Sequence, residues 1–230
     1  MNFEICTDSL EGAQSADING AKRIELCSAL SIGGLTPSVG LIQQCVNNSN
    51  VEVHVMIRHK EGGFNYSDDD ISIMKMDIIA AKNAGAHGVV FGVLNDKNEV
   101  SSKNKELVEL SKSLEMEVTF HRAFDFVVNY KKAIEQLIAF GFDRLLTSGL
   151  KSTAVEGIDV IADLQVHYGH EIQIMAGSGV NTTNALKLAN TGINNLHFTA
   201  RKSISSETKL SMGELMIVDE EKIKGIFNQF

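Results

Sequence analysis

Residues 19–27 read Asn19-Gly20-Ala21-Lys22-Arg23-Ile24-Glu25-Leu26-Cys27. A glycine able to take the left-handed turn that closes a helix is followed at once by a short run in which large aliphatics alternate with polar groups. The phrase returns as Ala84-Gly85-Ala86 before Gly88–Leu94, as Phe140-Gly141-Phe142 before Arg144–Ser148, and as Thr191-Gly192-Ile193 before Asn195–Ala200. Recurrence on the scale of one helix and one strand is what a chain of βα units shows. Four more strand runs complete the series: Phe3–Cys6, Val51–Arg58, Glu117–Phe124 and Ile172–Gly177. Helical patterns of roughly 10–18 residues separate them. Eight such units in 230 residues, with no crossover insertion, predict an α/β chain closed into a single (β/α)8 barrel over residues 1–230 rather than an open doubly wound sheet. Thr36 is expected to cap the helix that begins at Pro37. After Ala200 the rhythm weakens: residues 201–218, with Met212 and Met216, predict a loop near the barrel mouth, and Asp219–Phe230 a final helix.

Hydrophobic residues make up 43% and charged residues 22%, which suits a globular core. The formal net charge of −8 argues against nucleic acid or an anionic membrane surface as partner. No run approaches the ~18 apolar residues that span a bilayer, and the N-terminus lacks the pattern of a signal peptide. Three cysteines cannot all pair, so reduced thiols in a cytoplasm are expected.

Alternation predicts which side chains fill the barrel. With Ile5, Ile24, Leu26, Val53, Val55, Ile57, Val118, Phe120, Leu196 and Phe198 facing the helices, the interior receives Glu4, Cys6, Glu25, Cys27, His54, Met56, Arg58, Thr119, His121, His197 and Thr199. A barrel filled only for stability carries layers of branched aliphatics. Buried charges cost several kcal/mol unless paired, so Glu4, Glu25, Arg58, His54, His121 and His197 are expected to form one connected hydrogen-bonded network.

Three motifs carry chemistry. Glu4-Ile5-Cys6 and Glu25-Leu26-Cys27 are parallel copies on neighbouring strands. Paired in register, their thiols meet and their carboxylates meet. Two thiolates with Met56 nearby suit a soft ion such as Cu(I); equally, Cys6 and Cys27 can serve as small buried fillers. Cys45 reads as helix packing. His121-Arg122-Ala123-Phe124-Asp125 ends a strand and supplies an acid/base group, an anion clamp and an orienting carboxylate, or simply an Arg122–Asp125 loop ion pair. Gly177-Ser178-Gly179 precedes a helix expected near Thr182. With Arg201 after the last strand, this turn can cradle a phosphate, though Gly-Ser-Gly is also an ordinary tight turn.

Together with Gly33-Gly34-Leu35-Thr36-Pro37-Ser38, Val118–Asp125, Leu145-Leu146-Thr147-Ser148-Gly149 and Ile174–Val180, the two Glu-x-Cys strands closely resemble the CutC copper-homeostasis family over residues 3 to about 203. The resemblance implies a cytoplasmic (β/α)8 barrel that forms a homo-oligomer, here expected to be a dimer, and that binds Cu(I) through cysteines. It implies no particular reaction. Carried over by position, its cleft is lined here by Glu25, Cys27, Arg58, His121, Arg122, Asp125 and His197. Two departures stand out: His197-Phe198-Thr199-Ala200 has threonine where the family commonly has serine, and His54-Val55-Met56-Ile57-Arg58 adds a soft Met56.

Two functions follow as expectations. The first is copper-ion binding through Cys6, Cys27 and Met56, with His54 a further donor. The second is acid/base chemistry on a small anionic or phosphorylated metabolite. In that reading Glu25 and His121 act as acid and base, Arg58 and Arg122 clamp the anion, Asp125 and His197 complete the catalytic set, and Gly177, Ser178, Gly179 and Arg201 hold the phosphate.

Overall fold

The structure, a computed structural model, describes residues 1–204 and 214–230. Eight strands, β1 (Asn2–Thr7), β2 (Arg23–Leu26), β3 (Glu52–Met56), β4 (Gly88–Phe91), β5 (Glu117–Phe120), β6 (Arg144–Thr147), β7 (Gln173–Ala176) and β8 (Asn195–Thr199), close into a barrel in chain order. β8 returns to pair with β1, in parallel like its neighbours. The crossovers carry α1 (Leu10–Ile18), α2 (Val39–Asn48), α3 (Asp68–Asn83), α4 (Lys103–Ser113), α5 (Tyr130–Phe140), α6 (Ile158–Tyr168) and α7 (Ala185–Ala189), and α8 (Glu220–Phe227) follows β8. The (β/α)8 reading therefore holds. None of the described helices is long and apolar enough to cross a membrane.

Local chemistry explains the punctuation. Gly20, Gly85, Gly141 and Gly192 all take positive φ, between 81° and 93°, so the repeated glycine phrase is a helix stop that only glycine makes without cost. Ser9 caps α1, and Ser67 with Asp70 forms a capping box on α3. Thr36 is not the cap of α2. Ser38 is, accepting from the Leu41 N–H, while the Thr36 hydroxyl accepts from the Arg58 N–H and donates to Asp77. The helix starts two residues late because Thr36 is already used to fasten the end of β3. Residues 201–218 are not a plain loop either. Arg201–Ile204 (β9) and Leu215–Val218 (β10) pair as an antiparallel ribbon, the alternating sides of Leu-Met-Ile-Val giving β10 its strand character. Met216 lies on this ribbon, and Met212 lies outside the described residues.

The aliphatics named above form one buried layer between sheet and helices, each contributing about 1.5–3 kcal/mol by burial. Inside the barrel, Cys6, Cys27, Met56 and Val90 form a separate small cluster. Cys45 is buried in the outer layer, as packing alone requires.

The interior charges gather around Glu4 and leave Arg58 and His121 apart. In the N-terminal half, Arg23 donates to Glu4 at 2.5 Å and approaches Glu52 at 3.6 Å. Arg144 meets Glu117 at 2.8 Å and donates to the Thr119 hydroxyl at 3.0 Å, and His54 sits 3.7 Å from Glu117. Arg58 and His121, near the other end, bond neither to this set nor to each other. The single network expected from alternation forms only in part: Glu4, His197 and Glu25 lie together, while Arg58 and His121 stand apart because the barrel is deep enough to stack its polar side chains at two levels.

Candidate functional site

At the C-terminal ends of the strands the barrel opens into a cavity of about 1020 Å3. Cys6, Glu25, Met56 and His197 reach it from β1, β2, β3 and β8, and Arg58, His121 and Arg122 border it from the turns after β3 and β5.

Strand register decides who meets whom on this floor. Cys6 lies opposite Glu25, and Glu4 opposite Arg23, so the twin Glu-x-Cys strands are offset by two residues instead of aligned. The thiols meet nevertheless. One ligand atom each of Cys6, Glu25 and Cys27 lies within 4.8 Å of the others, and so do those of Glu4, Glu25 and His197. Cys27 directs its thiol at Glu25 Oε2, 3.6 Å away. His197 Nδ1 pairs with Glu4 Oε1 at 2.8 Å, and its Nε2 faces Glu25 Oε2 at 3.8 Å. Gly177 makes room for this imidazole, since a Cβ there would come 2.6 Å from Leu146 and 3.1 Å from His197.

These contacts set the charges. The Cys27 hydrogen bond draws the Cys6 pKa down to about 5 against the cost of burial, with His197 helping. Cys27 is pushed well up by that same bond and by burial. Burial, then the negative Cys6, raises Glu25 well above the ordinary carboxylate range. Burial opposes charge on His197, yet Glu25, Cys6 and Glu4 together raise it well above its ordinary value. Burial likewise works against Glu4, but Arg23 and His197 hold it ionised. These shifts favour a thiolate at Cys6 beside a protonated His197, the arrangement that activates a cysteine for metal or electrophile.

The His-Arg-Asp cluster separates into distinct parts. His121 begins a 3₁₀ turn over Arg122–Phe126, and its Nδ1 accepts from the Ala123 N–H at 3.2 Å. That bond places the proton of the neutral ring on Nε2. Burial, then Arg58 and Arg122, lowers its pKa to about 3. Arg122 pairs with Asp125 at 2.8 Å and donates to the Ser148 hydroxyl. Asp125 does not border the cavity. Its buried carboxylate accepts from Thr147, the Ser148 backbone and hydroxyl, and Leu150, tying the turn after β5 to the turn after β6.

The expected phosphate cradle is only partly assembled. Ser178 and Gly179 border the cavity with positive φ of 81° and 74°, but the Ser178 hydroxyl donates away to Ser152. α7 begins at Ala185, not near Thr182, because Asn181 and Asn184 first close a turn on Gly179. Arg201 is held by Asp8 at 2.5 Å. His54 belongs to Glu52 and Glu117 at the other end of the barrel, not to the thiols.

Sequence reasoning missed Arg23 and Arg144, although Arg23 shares the parity of Glu25 and Cys27 and so was within reach of the alternation argument. Phe64 carried no signal. It reaches the cavity from the loop between β3 and α3, its ring 4.9 Å from His121 and 5.6 Å from the Arg58 guanidinium carbon.

With this geometry in place, residues 1–202 match the family model described as the CutC family. The chain belongs to the CutC family. A family protein CutC from Vibrio cholerae is 46% identical over 206 residues, covering 89% of this chain and 81% of that one. Another, from Glaesserella parasuis, is 44% identical over 237 residues and covers 98% and 97%. Among solved structures, a candidate copper homeostasis protein CutC from Streptococcus agalactiae superposes with a TM-score of 0.77 at 32% identity, over 86% of this chain and 97% of that one. In this family member, then, Cys6, Glu25, His197 and the His121–Arg122 turn border one cavity at the strand ends of the barrel.

Proposed function

We propose that this chain handles copper in the cytoplasm, taking Cu(I) through the thiols of Cys6 and Cys27 with Met56 as a further soft donor. One observation carries the reading: both thiols lie within 4.8 Å of each other inside the barrel, in a cluster that also contains Met56. The donors fit the ion. Two thiols and a thioether suit a soft cation such as Cu(I) rather than a hard divalent ion, and the depressed Cys6 pKa favours a thiolate at neutral pH. Glu25 contributes oxygen, but its raised pKa favours the protonated carboxyl, a poorer ligand than either thiol. The Streptococcus relative's description as a copper homeostasis protein agrees with this reading. Three free cysteines agree with a reducing compartment. The homodimer belongs to the same proposal and rests on the family resemblance; light scattering of the purified chain tests it.

Titration of the reduced protein with Cu(I) against a competing chelator is expected to give one ion per chain. The Cys6→Ser/Cys27→Ser double variant should lose at least about two orders of magnitude in affinity, more than the roughly 10–100-fold lost when only a ligand's hydrogen-bonding partner is changed. Met56→Leu should cost less. Unchanged affinity in the double variant would sink the ligand assignment.

A further inference from the structure

We propose that the cavity also binds a small organic anion, a carboxylate or phosphate ester, held against Arg58 with the Nε2–H of His121 beside it. The inference stands apart from copper and rests on different atoms.

Arg58 is 5% exposed. Its guanidinium donates to three backbone carbonyls, of Ile32 at 3.1 Å, Gly34 at 3.0 Å and Gly62 at 2.8 Å. Carbonyls orient the group but do not cancel its charge. Among the described residues no carboxylate lies within 4.0 Å of it, and its Nε has no partner. Buried cations in folded proteins are ordinarily paired. The acids on neighbouring loops are engaged elsewhere: Asp70 with Lys60 and His59, Asp125 with Arg122 and Ser148.

His121 leaves a second vacancy. Its Nδ1 is committed to Ala123, and its Nε2 has no acceptor among the described residues. Arg122 and Lys222 also border the cavity, where with Arg58 they outnumber the acids Glu25 and Asp96, in a chain whose formal net charge is −8. Such a local excess of positive charge draws anions.

The site is also too large for a bare ion. Its volume of about 1020 Å3 is that of an organic-ligand pocket. Phe64 lies over Arg58 and His121, with Phe126 5.4 Å beyond it and exposed. These rings offer an apolar flank to the body that carries the anion. Because Arg58 Nε and His121 Nε2 are both buried, a ligand reaches them only if the Phe64 ring beside them moves aside.

The test uses the metal-free, reduced full-length chain, so its outcome does not depend on the copper reading. Benzoate and inorganic phosphate are titrated separately by calorimetry and thermal unfolding, each against sodium chloride at matched ionic strength. Saturable binding and a raised Tm are expected for at least one probe. A benzoate preference identifies a carboxylate on a planar body, and a phosphate preference a phosphoryl group. Arg58→Gln should weaken the preferred probe roughly tenfold or more, as loss of a charge-assisted contact entails. Arg58→Lys should retain most of the binding. Lys222→Gln, at a half-exposed position, should weaken it about two- to threefold by removing a more distant charge, and this variant with Arg58→Lys decides the matter if Arg58→Gln does not fold. Neither probe exceeding chloride, or unchanged affinity without Arg58 or Lys222, overturns the proposal.

Discussion

The two ends of this barrel spend their charges differently. Toward the N-terminal ends of the strands each guanidinium closes on a carboxylate: Arg23 on Glu4, Arg144 on Glu117. Toward the C-terminal ends, Arg58 has no carboxylate, His121 Nε2 no acceptor, and Glu25 Oε1 no donor among the described residues. Both ends are polar, and Arg23, Arg144 and Arg58 are all buried. In the first, Arg23 and Arg144 are answered by carboxylates of the chain and fix strand register, even though His54 Nδ1 has no partner there; in the second, the charge of Arg58 is not answered, which leaves it for a ligand. Glu4 joins them. It is held by Arg23 on one side and grips His197 on the other, so the structural pair below orients the imidazole that faces the thiols above.

The comparison can be broken most forcefully from below. Arg23→Met leaves Glu4 ionised and buried without its main partner, a change expected to cost about 3–5 kcal/mol in urea unfolding. A loss below about 1 kcal/mol, the scale of an exposed pair, would show that the lower charges are not a closed structural set.

Acid probes the upper end next. His121 has a pKa of about 3 when folded and an ordinary imidazole value when unfolded, so between about pH 6.5 and 3 the unfolded chain binds the extra proton. Stability from this residue is therefore complete above about pH 6.5 and is lost as the pH falls toward 3. The wild type should lose about 2 kcal/mol or more over that window relative to His121→Asn, read from unfolding curves at each pH. Parallel pH profiles would remove His121 from the account.

Glu25 supplies a smaller effect of opposite sense. Its folded pKa is raised, so its contribution is fully present below the ordinary carboxylate pKa and declines as the pH rises above it. Glu25→Gln should accordingly gain about 1 kcal/mol relative to the wild type between pH 4 and pH 8, whereas Arg23→Met is destabilised at both values. If Glu25→Gln is instead the less stable chain at pH 8, then Glu25 belongs with the paired charges.

Much of this was legible in the sequence, and for local reasons. Helix stops, strand order and the inward faces of β1, β2, β3, β5 and β8 follow from the glycine phrase and from a two-residue period, both of which act within a few residues. The predicted strands ran too far at their C-terminal ends. Arg58, His121 and Ser148 were assigned to strands, yet the structure places them just beyond, where the chain leaves the ladder to build the site. Arg23 and Glu117 continue the alternation one step backward and could have been found the same way. Phe64 and the Asp125 cradle could not, because no periodicity governs a loop.

The residues alone therefore determined that the chain forms an eightfold barrel, and that thiols, imidazoles and carboxylates turn inward. Only the tertiary structure decided which of them meet. Closing a barrel imposes a stagger between neighbouring strands. That stagger sets Cys6 opposite Glu25 rather than Cys27, gives Glu4 both Arg23 and His197, and leaves Arg58 among carbonyls with its charge unanswered.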